Sequence, residues 1–143
     1  MSKVVICPRL KGNTRKLCEA IKNEAGWELM QVSGEETTDL SAYETVIIAS
    51  GVYGGYPHKN ILRLIRNMEQ NHLPKNVHIL STWLGRARSD RTAFQKIQKE
   101  FSARGVSIAH DFQSKLGHSF GFLHSGHPDA KDIMSCIKWA KSI

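Results

Sequence analysis

Residues 4–21, with the sequence VVICPRLKGNTRKLCEAI, contain the pattern on which the fold depends. An apolar run, Val4–Cys7, passes into a short loop that contains Gly12, and a helical pattern follows. This order leaves free backbone N–H groups at a helix N-terminus, where the helix dipole favours an anion. Gly12 lets the backbone approach a ligand, and Asn13 and Thr14 can cap the helix or donate to phosphate oxygens. An ordinary strand-to-helix turn has the same pattern, so this stretch alone leaves both interpretations open.

The composition is that of a globular protein. The chain has 143 residues, of which 41% are hydrophobic and 23% charged, so we expect one domain over residues 1–143. No run resembles a signal peptide or a membrane span, and the sequence therefore predicts a cytoplasmic protein without membrane contact. Three cysteines are scattered without a C-x-x-C pair, which favours buried, reduced thiols.

Strand and helix patterns alternate along the rest of the chain. Besides the first strand, apolar runs and alternations predict strands at Trp27–Val32, Thr45–Ser50, Val77–Ser81 and Val106–Phe112. Helical spacing predicts helices at Asn13–Ala25, His58–Asn71 and Asp90–Arg104, and a last helix that begins at His127-Pro128-Asp129. We also expect a short helix within Thr37–Tyr43, where the chain must cross the sheet. The regular alternation predicts a doubly wound α/β fold with a five-stranded parallel sheet in the order 2-1-3-4-5.

Three unusual loops follow the first, third and fourth predicted strands. The first is the anion-ready turn, the second carries three glycines and two tyrosines in residues 51–57, and the third carries Trp83 and Gly85. In the predicted strand order, ligands bind beyond the carboxyl ends of the strands at the switch between strands one and three. Together the loops suit a ligand with a phosphate at one end and a flat ring at the other.

On these residues the chain resembles the flavodoxin-like superfamily, as a short-chain flavodoxin family protein. The matching segments are Gly12-Asn13-Thr14, Ser50–Gly54, Ser81-Thr82-Trp83 and the start of the last helix at Gly126-His127-Pro128-Asp129. The resemblance implies FMN, with its phosphate on the first loop and its ring between the second and third, flanked by Tyr53 and Trp83. The cofactor-binding residues that it implies are Arg9, Leu10, Lys11, Gly12, Asn13, Thr14, Gly51, Val52, Tyr53, Gly54, Thr82, Trp83, Leu84 and Gly85.

The function that the resemblance implies is electron transfer, by a redox carrier or a small flavin oxidoreductase whose flavin does the chemistry. The alternative is a flavin-free binding or regulatory module. Arg9 and Lys11 keep that alternative open, because flavodoxin phosphate loops usually carry hydroxyl residues there. Either side chain can pair with a phosphate or point outward.

The net charge of +7 bears on potential and partner. Electron-carrying flavodoxins are typically acidic, so a basic shell should stabilise the anionic reduced flavin and raise its reduction potential. No nucleic-acid-binding signature accompanies the charge, and we expect a redox partner protein, acidic in character, or a nicotinamide donor. A solvated helix face or a docking surface explains the cluster of basic residues at Arg86, Arg88, Arg91, Lys96, Lys99 and Arg104.

Other chemistry finds little support in the sequence. His118, His124 and His127 lie close together in sequence, but no accompanying carboxylate or cysteine spacing indicates a metal site, and His127 suits a helix entry. No serine–histidine–carboxylate grouping or carboxylate pair indicates a hydrolase. A response-regulator receiver needs clustered acidic residues at its strand ends, whereas the first strand here runs into Cys7-Pro8-Arg9.

Overall fold

The computed structural model describes residues 2–85, 87–117 and 126–143. Its strands are β1 (Lys3–Cys7), β2 (Glu28–Gln31), β3 (Thr45–Tyr53), β4 (Tyr56–Pro57), β5 (Val77–Trp83) and β6 (Gln113–Leu116). Its helices are α1 (Asn13–Ala25), α2 (Lys59–Asn67), α3 (Ser89–Ser102) and α4 (Ala130–Ser142), with a short 3-10 helix at Gln70–His72. None of the helices in these ranges has the length and apolar content that crossing a bilayer requires.

The strands form one sheet in the order β2-β1-β3-β5-β6, and all four of these pairings are parallel. The two-residue β4 pairs with β3 as an antiparallel hairpin. Without β4 the order is 2-1-3-4-5, so the predicted doubly wound α/β fold is confirmed.

The core lies on both faces of the sheet. Val4 and Ile6 of β1 belong to the cluster that also takes in residues of α2 and α3, whereas Val5 and Cys7 belong to the cluster of α1 and α4. Alternate residues of a strand point to opposite faces, so a strand covered on both sides must be apolar throughout. This explains the unbroken apolar runs of β1 and β3. All three cysteines are buried and free of disulfides, as the sequence predicted.

Two predicted helical segments differ in the structure. The expected short helix within Thr37–Tyr43 is wrong, because the chain there is irregular. Leu40 is fully buried and its N–H donates to the carbonyl of His72, so tertiary contacts replace helical ones. The second helix ends at Asn67, since the next residue, Met68, is extended and buried against the core.

The fifth main strand is displaced from its predicted position. Within Val106–Phe112, Ile108 forms an isolated bridge to Val77, and the regular strand is β6, four residues of mixed polarity. Asp111 accepts hydrogen bonds from His78 at 2.8 Å and from Trp139 at 3.0 Å, which fixes the chain just before β6. The prediction was wrong because β6 pairs only with β5 in the described sheet, and such an edge strand is stabilised by backbone pairing without an apolar sequence.

Candidate functional site

The three loops meet at the carboxyl ends of β1, β3 and β5. They enclose a cleft of about 190 Å³ at the switch point between β1 and β3, which we call the main cleft. The lining side chains and glycines come from every loop and from the end of β6. They are Arg9, Asn13, Thr14, Gly51, Val52, Tyr53, Thr82, Trp83, Leu84 and Gly117.

The first loop leaves the start of α1 ready for an anion. Gly12 precedes the helix with φ 109° and ψ −170° and has no side chain with which to cap it, and no acidic residue lies in the first turn of the helix. The first N–H groups of any helix have no carbonyl partner within the helix, and they lie at the positive end of its dipole. The thiol of Cys7 donates to the carbonyl of Arg9 at 3.3 Å and so helps to hold the loop at the strand end.

Two buried hydroxyls join the first loop to the third. The Oγ1 atoms of Thr14 and Thr82 lie 2.7 Å apart, and both residues are buried. Thr14 is in the first turn of α1 and Thr82 is near the end of β5. The contact therefore sets the position of the helix start relative to the loop that carries Trp83.

The second loop is the hairpin between β3 and β4, in which Val52 pairs with Pro57 and Tyr53 with Tyr56. The ring of Tyr53 folds back over Gly51. A Cβ atom on Gly51 would lie only 2.8 Å from the tyrosine hydroxyl oxygen, so a larger residue at position 51 would clash with the ring. Arg9 Nη1 donates to that same hydroxyl at 3.5 Å. Gly51 thus gives Tyr53 room to flank the cleft beside the basic side chain of the first loop.

His58 follows the hairpin and caps the N-terminus of α2. Its Nδ1 accepts from the N–H of Asn60 at 3.0 Å, and its ring lies edge-on to Tyr53 with centroids 5.7 Å apart. Burial lowers the pKa of His58, and the positive charges of Arg9 and Lys59 lower it further. A lowered pKa favours the neutral ring, in agreement with the acceptor role of Nδ1.

The third loop enters α3 through an unusual backbone. Ala87 and Arg88 have φ of 50° and 56°, in the left-handed region that residues other than glycine rarely adopt. A second cleft lies beside the first and shares the lining residues Val52 and Leu84 with it. Its other lining residues include Gly54, Ala87, Ser89 and Thr92. Residue 86 of the predicted basic cluster lies outside the described residues.

Nine of the fourteen residues predicted to hold a cofactor line the main cleft: Arg9, Asn13, Thr14, Gly51, Val52, Tyr53, Thr82, Trp83 and Leu84. The other five do not. Leu10, Lys11 and Gly12 are exposed on the first loop, Gly85 is exposed after β5, and Gly54 lines the second cleft. A cofactor role for any of them stays a prediction.

Gly117 is the lining residue that sequence reasoning missed. A Cβ atom there would lie 2.4 Å from Nδ2 of Asn13, so a glycine lets the end of β6 approach the first loop. The residue was overlooked because the fifth strand was predicted too early, which assigned its carboxyl end to Phe112. A glycine directly after the true edge strand was the available signal.

The histidine at the start of the last helix takes part in its cap. Asp129 and Asp132 form a reciprocal capping box, and Asp132 Oδ2 lies 2.7 Å from Nδ1 of His127. Ligand atoms of these three residues lie within 4.8 Å of one another, and helix capping accounts for the arrangement. His118 and His124 of the predicted group lie outside the described residues.

Comparison with known proteins gives the family. A family profile described as a flavodoxin domain matches residues 10–117, which is more than half of the chain and includes the second and third loops and the first loop from Leu10 onward. The chain belongs to this flavodoxin domain family. A further relative of the flavodoxin domain is the uncharacterized protein MJ0298 of Methanocaldococcus jannaschii, 24% identical over 137 residues, with 92% of this chain and 89% of that protein covered.

Solved structures resemble the flavodoxin domain over nearly its whole length. Oxidised Flavodoxin 1 from Bacillus cereus matches with a TM-score of 0.73 at 11% identity, covering 98% of this chain and 95% of that one. A flavodoxin from the domain Archaea gives 0.69 at 18% identity, covering 100% and 96%. The WrbA-like flavodoxin of Agrobacterium tumefaciens gives 0.73 at 13%, covering 99% and 94%. At such identities the likeness is one of fold.

Proposed function

We propose that this flavodoxin domain binds FMN in the main cleft and transfers electrons, as a redox carrier or a small flavin oxidoreductase whose partner is a redox protein or a nicotinamide donor. The observation that carries the proposal is that one cleft brings the start of α1, preceded by Gly12 and lying beside Arg9, together with the aromatic side chains of Tyr53 and Trp83. Family membership supports it. Buried free thiols favour a cytoplasmic location.

The phosphate end of the cleft is the first loop. The guanidinium of Arg9 supplies charge-assisted hydrogen bonds, and the first-turn amides of α1 supply further donors without an opposing carboxylate. The amide of Asn13 lines the same wall. Lys11 is exposed and away from the lining, so Arg9 is the basic side chain assigned to the phosphate.

The ring end of the cleft lies between the second and third loops. Tyr53, Trp83 and Leu84 offer flat or apolar surfaces that orient an aromatic ring and exclude water from it. Bound FMN would supply the capacity to accept and donate electrons through its ring system. The chain contributes binding, orientation and the electrostatic environment.

Titration of the purified protein with FMN, followed by the quenching of flavin fluorescence, tests the proposal. Riboflavin, which lacks the phosphate, is titrated in parallel. Arg9→Gln should weaken FMN binding by about tenfold to a hundredfold, the range expected for lost charge-assisted hydrogen bonds, and leave riboflavin binding almost unchanged. Lys22→Gln, a matched loss of charge in the last turn of α1, should bind FMN as the wild type does.

Two results would contradict this assignment. A wild-type protein that quenches neither flavin would favour the flavin-free binding or regulatory module. Equal affinity of the wild type for FMN and riboflavin would show that the first loop does not bind the phosphate.

A further inference from the structure

We propose that an acidic protein docks on the surface around the mouth of the main cleft and exchanges electrons there. This surface, the basic aromatic face, consists of Arg9, Leu10, Tyr53, Tyr56, Lys59 and Lys96. Electron exchange at this face rests on the proposed flavin function, whereas docking itself does not.

Exposed apolar side chains concentrate on this face. Among the described residues, four large hydrophobic side chains are strongly exposed, and three of them are Leu10 at 74%, Tyr53 at 46% and Tyr56 at 58%. The fourth, Met134, lies on α4. A cluster of exposed apolar groups beside polar ones marks an interaction site more often than scattered single residues do. Tyrosine and arginine are also enriched in protein interfaces.

Contacts join five of these residues into one continuous surface, and the sixth, Leu10, follows Arg9 in the first loop. The ammonium group of Lys96 lies 4.5 Å from the ring centroid of Tyr56, and Tyr56 pairs with Tyr53 across the hairpin. The hydroxyl of Tyr53 accepts from Arg9 at 3.5 Å. Lys59 lines a shallow groove together with Arg9 and Tyr53. The face therefore reaches from α3 across the hairpin to the first loop.

The charge of the face has one sign. Residues 1–18 and 45–68, which supply all of it except Lys96, contain no aspartate or glutamate. On α3, Asp90 is buried and Glu100 pairs with Arg66 at 2.6 Å. On α1, Glu19 pairs with Arg15 at 2.8 Å. Uniform positive charge around exposed aromatic rings attracts an acidic protein and repels a basic one.

Cytochrome c provides a matched pair of probes, because the native protein is basic and succinylation of its lysines makes it acidic around the same haem. Binding of each form to the flavin-free protein is measured by titration calorimetry at low and high salt. The flavin-loaded, reduced protein is then mixed with each form, and the rate of haem reduction is followed. We expect the succinylated form to bind more tightly and its haem to be reduced faster than that of the native form. Both differences should become smaller as the salt concentration rises.

The double variant Lys59→Gln/Lys96→Gln should weaken binding of the succinylated probe and slow its reduction, each by about fivefold at low salt, as expected for two exposed charge pairs. The control, Lys22→Gln/Lys141→Gln, makes the same change of charge in the last turns of α1 and α4 and should leave both values unchanged. Tyr56→Ala should weaken binding without altering its salt dependence.

Three outcomes would overturn the proposal. The first is equal binding of the two cytochromes, and the second is an equal effect of the face variant and the control variant. The third is a DNA oligonucleotide that binds more tightly than the succinylated cytochrome and is weakened by the face variant, which would assign the face to nucleic acid. The calorimetric readout needs no flavin, so loss of the flavin function leaves docking measurable. Docking without haem reduction by a loaded protein would reject the face as an electron-transfer surface.

Discussion

The hydroxyl pair of Thr14 and Thr82 is the residue-scale feature that holds two loops of the cleft together. Thr14→Val or Thr82→Val alone leaves one buried hydroxyl without its partner, so each should lower the free energy of unfolding by about 1–2 kcal/mol. The double variant should lose less than the sum of the two, since no unpaired hydroxyl remains. Urea unfolding of the four proteins gives the coupling energy, which we expect to be about 1 kcal/mol.

An exposed threonine supplies the control for this cycle. Thr37→Val changes the same atoms on the surface and should alter stability by no more than about 0.5 kcal/mol. Strict additivity of the two cleft substitutions would show that the hydroxyls do not stabilise each other.

At the same scale, the sequence did not indicate which of Arg9 and Lys11 lines the cleft. Both are basic, both lie in the first loop, and either could have met a phosphate. Their difference arises from a partner far along the chain, because Tyr53 folds over Gly51 and brings its hydroxyl to the guanidinium of Arg9. The direction of a loop side chain depends on such contacts, which residue type and spacing do not encode.

At the scale of elements, Asp111 joins the chain before β6 to β5 and α4. Burial acts to raise the pKa of this carboxyl, but hydrogen bonds from Trp139 and His78 outweigh it and hold the pKa below its ordinary value. A lowered folded-state pKa means that the ionised carboxylate stabilises the fold above about pH 4. That stabilisation disappears as pH falls through the folded-state pKa.

Asp111→Asn should therefore cost about 1 kcal/mol at pH 7, a modest value because 42% of the side chain is exposed and water screens the interaction. The difference in unfolding free energy from the wild type should shrink as pH falls below about 4 and through the lowered folded-state pKa. Chemical unfolding at a series of pH values measures it, with Glu24→Gln on the surface of α1 as control. A difference that stays constant across this range would show that charge on Asp111 is not involved.

The same region shows which elements the sequence could predict. Strands β1, β3 and β5 were recognisable because both of their faces are buried, which requires continuous apolar residues. The edge strand β6 carries Gln113, Ser114 and Lys115, and its place is set by backbone pairing and by Asp111. The predicted strand ended at Phe112, before β6 begins. The sequence therefore gave no reason to include Gly117, which follows β6, among the lining residues.

At the scale of the whole molecule, the charge is unevenly distributed. The chain carries +7, yet residues 45–68 and 1–18 contain no carboxylate side chains, so positive charge gathers where the proposed flavin binds. A positive environment favours the anionic reduced flavin over the oxidised form and raises its reduction potential. The basic composition, evident from the sequence, becomes a local effect only through the fold, which brings those segments to the cleft.

The size of this effect can be measured by redox titration of the flavin-loaded protein. Two charges about 10 Å apart in water interact by about 0.4 kcal/mol, which is roughly 20 mV for a one-electron couple. Lys59→Gln/Lys96→Gln should therefore lower the reduction potential of the couple that forms the anionic reduced flavin, by about 20–40 mV at low salt and by less at high salt. Lys22→Gln/Lys141→Gln removes the same charge from the far ends of α1 and α4 and should change it little. Equal shifts in both variants would mean that overall charge, and not its placement at the cleft, sets the potential.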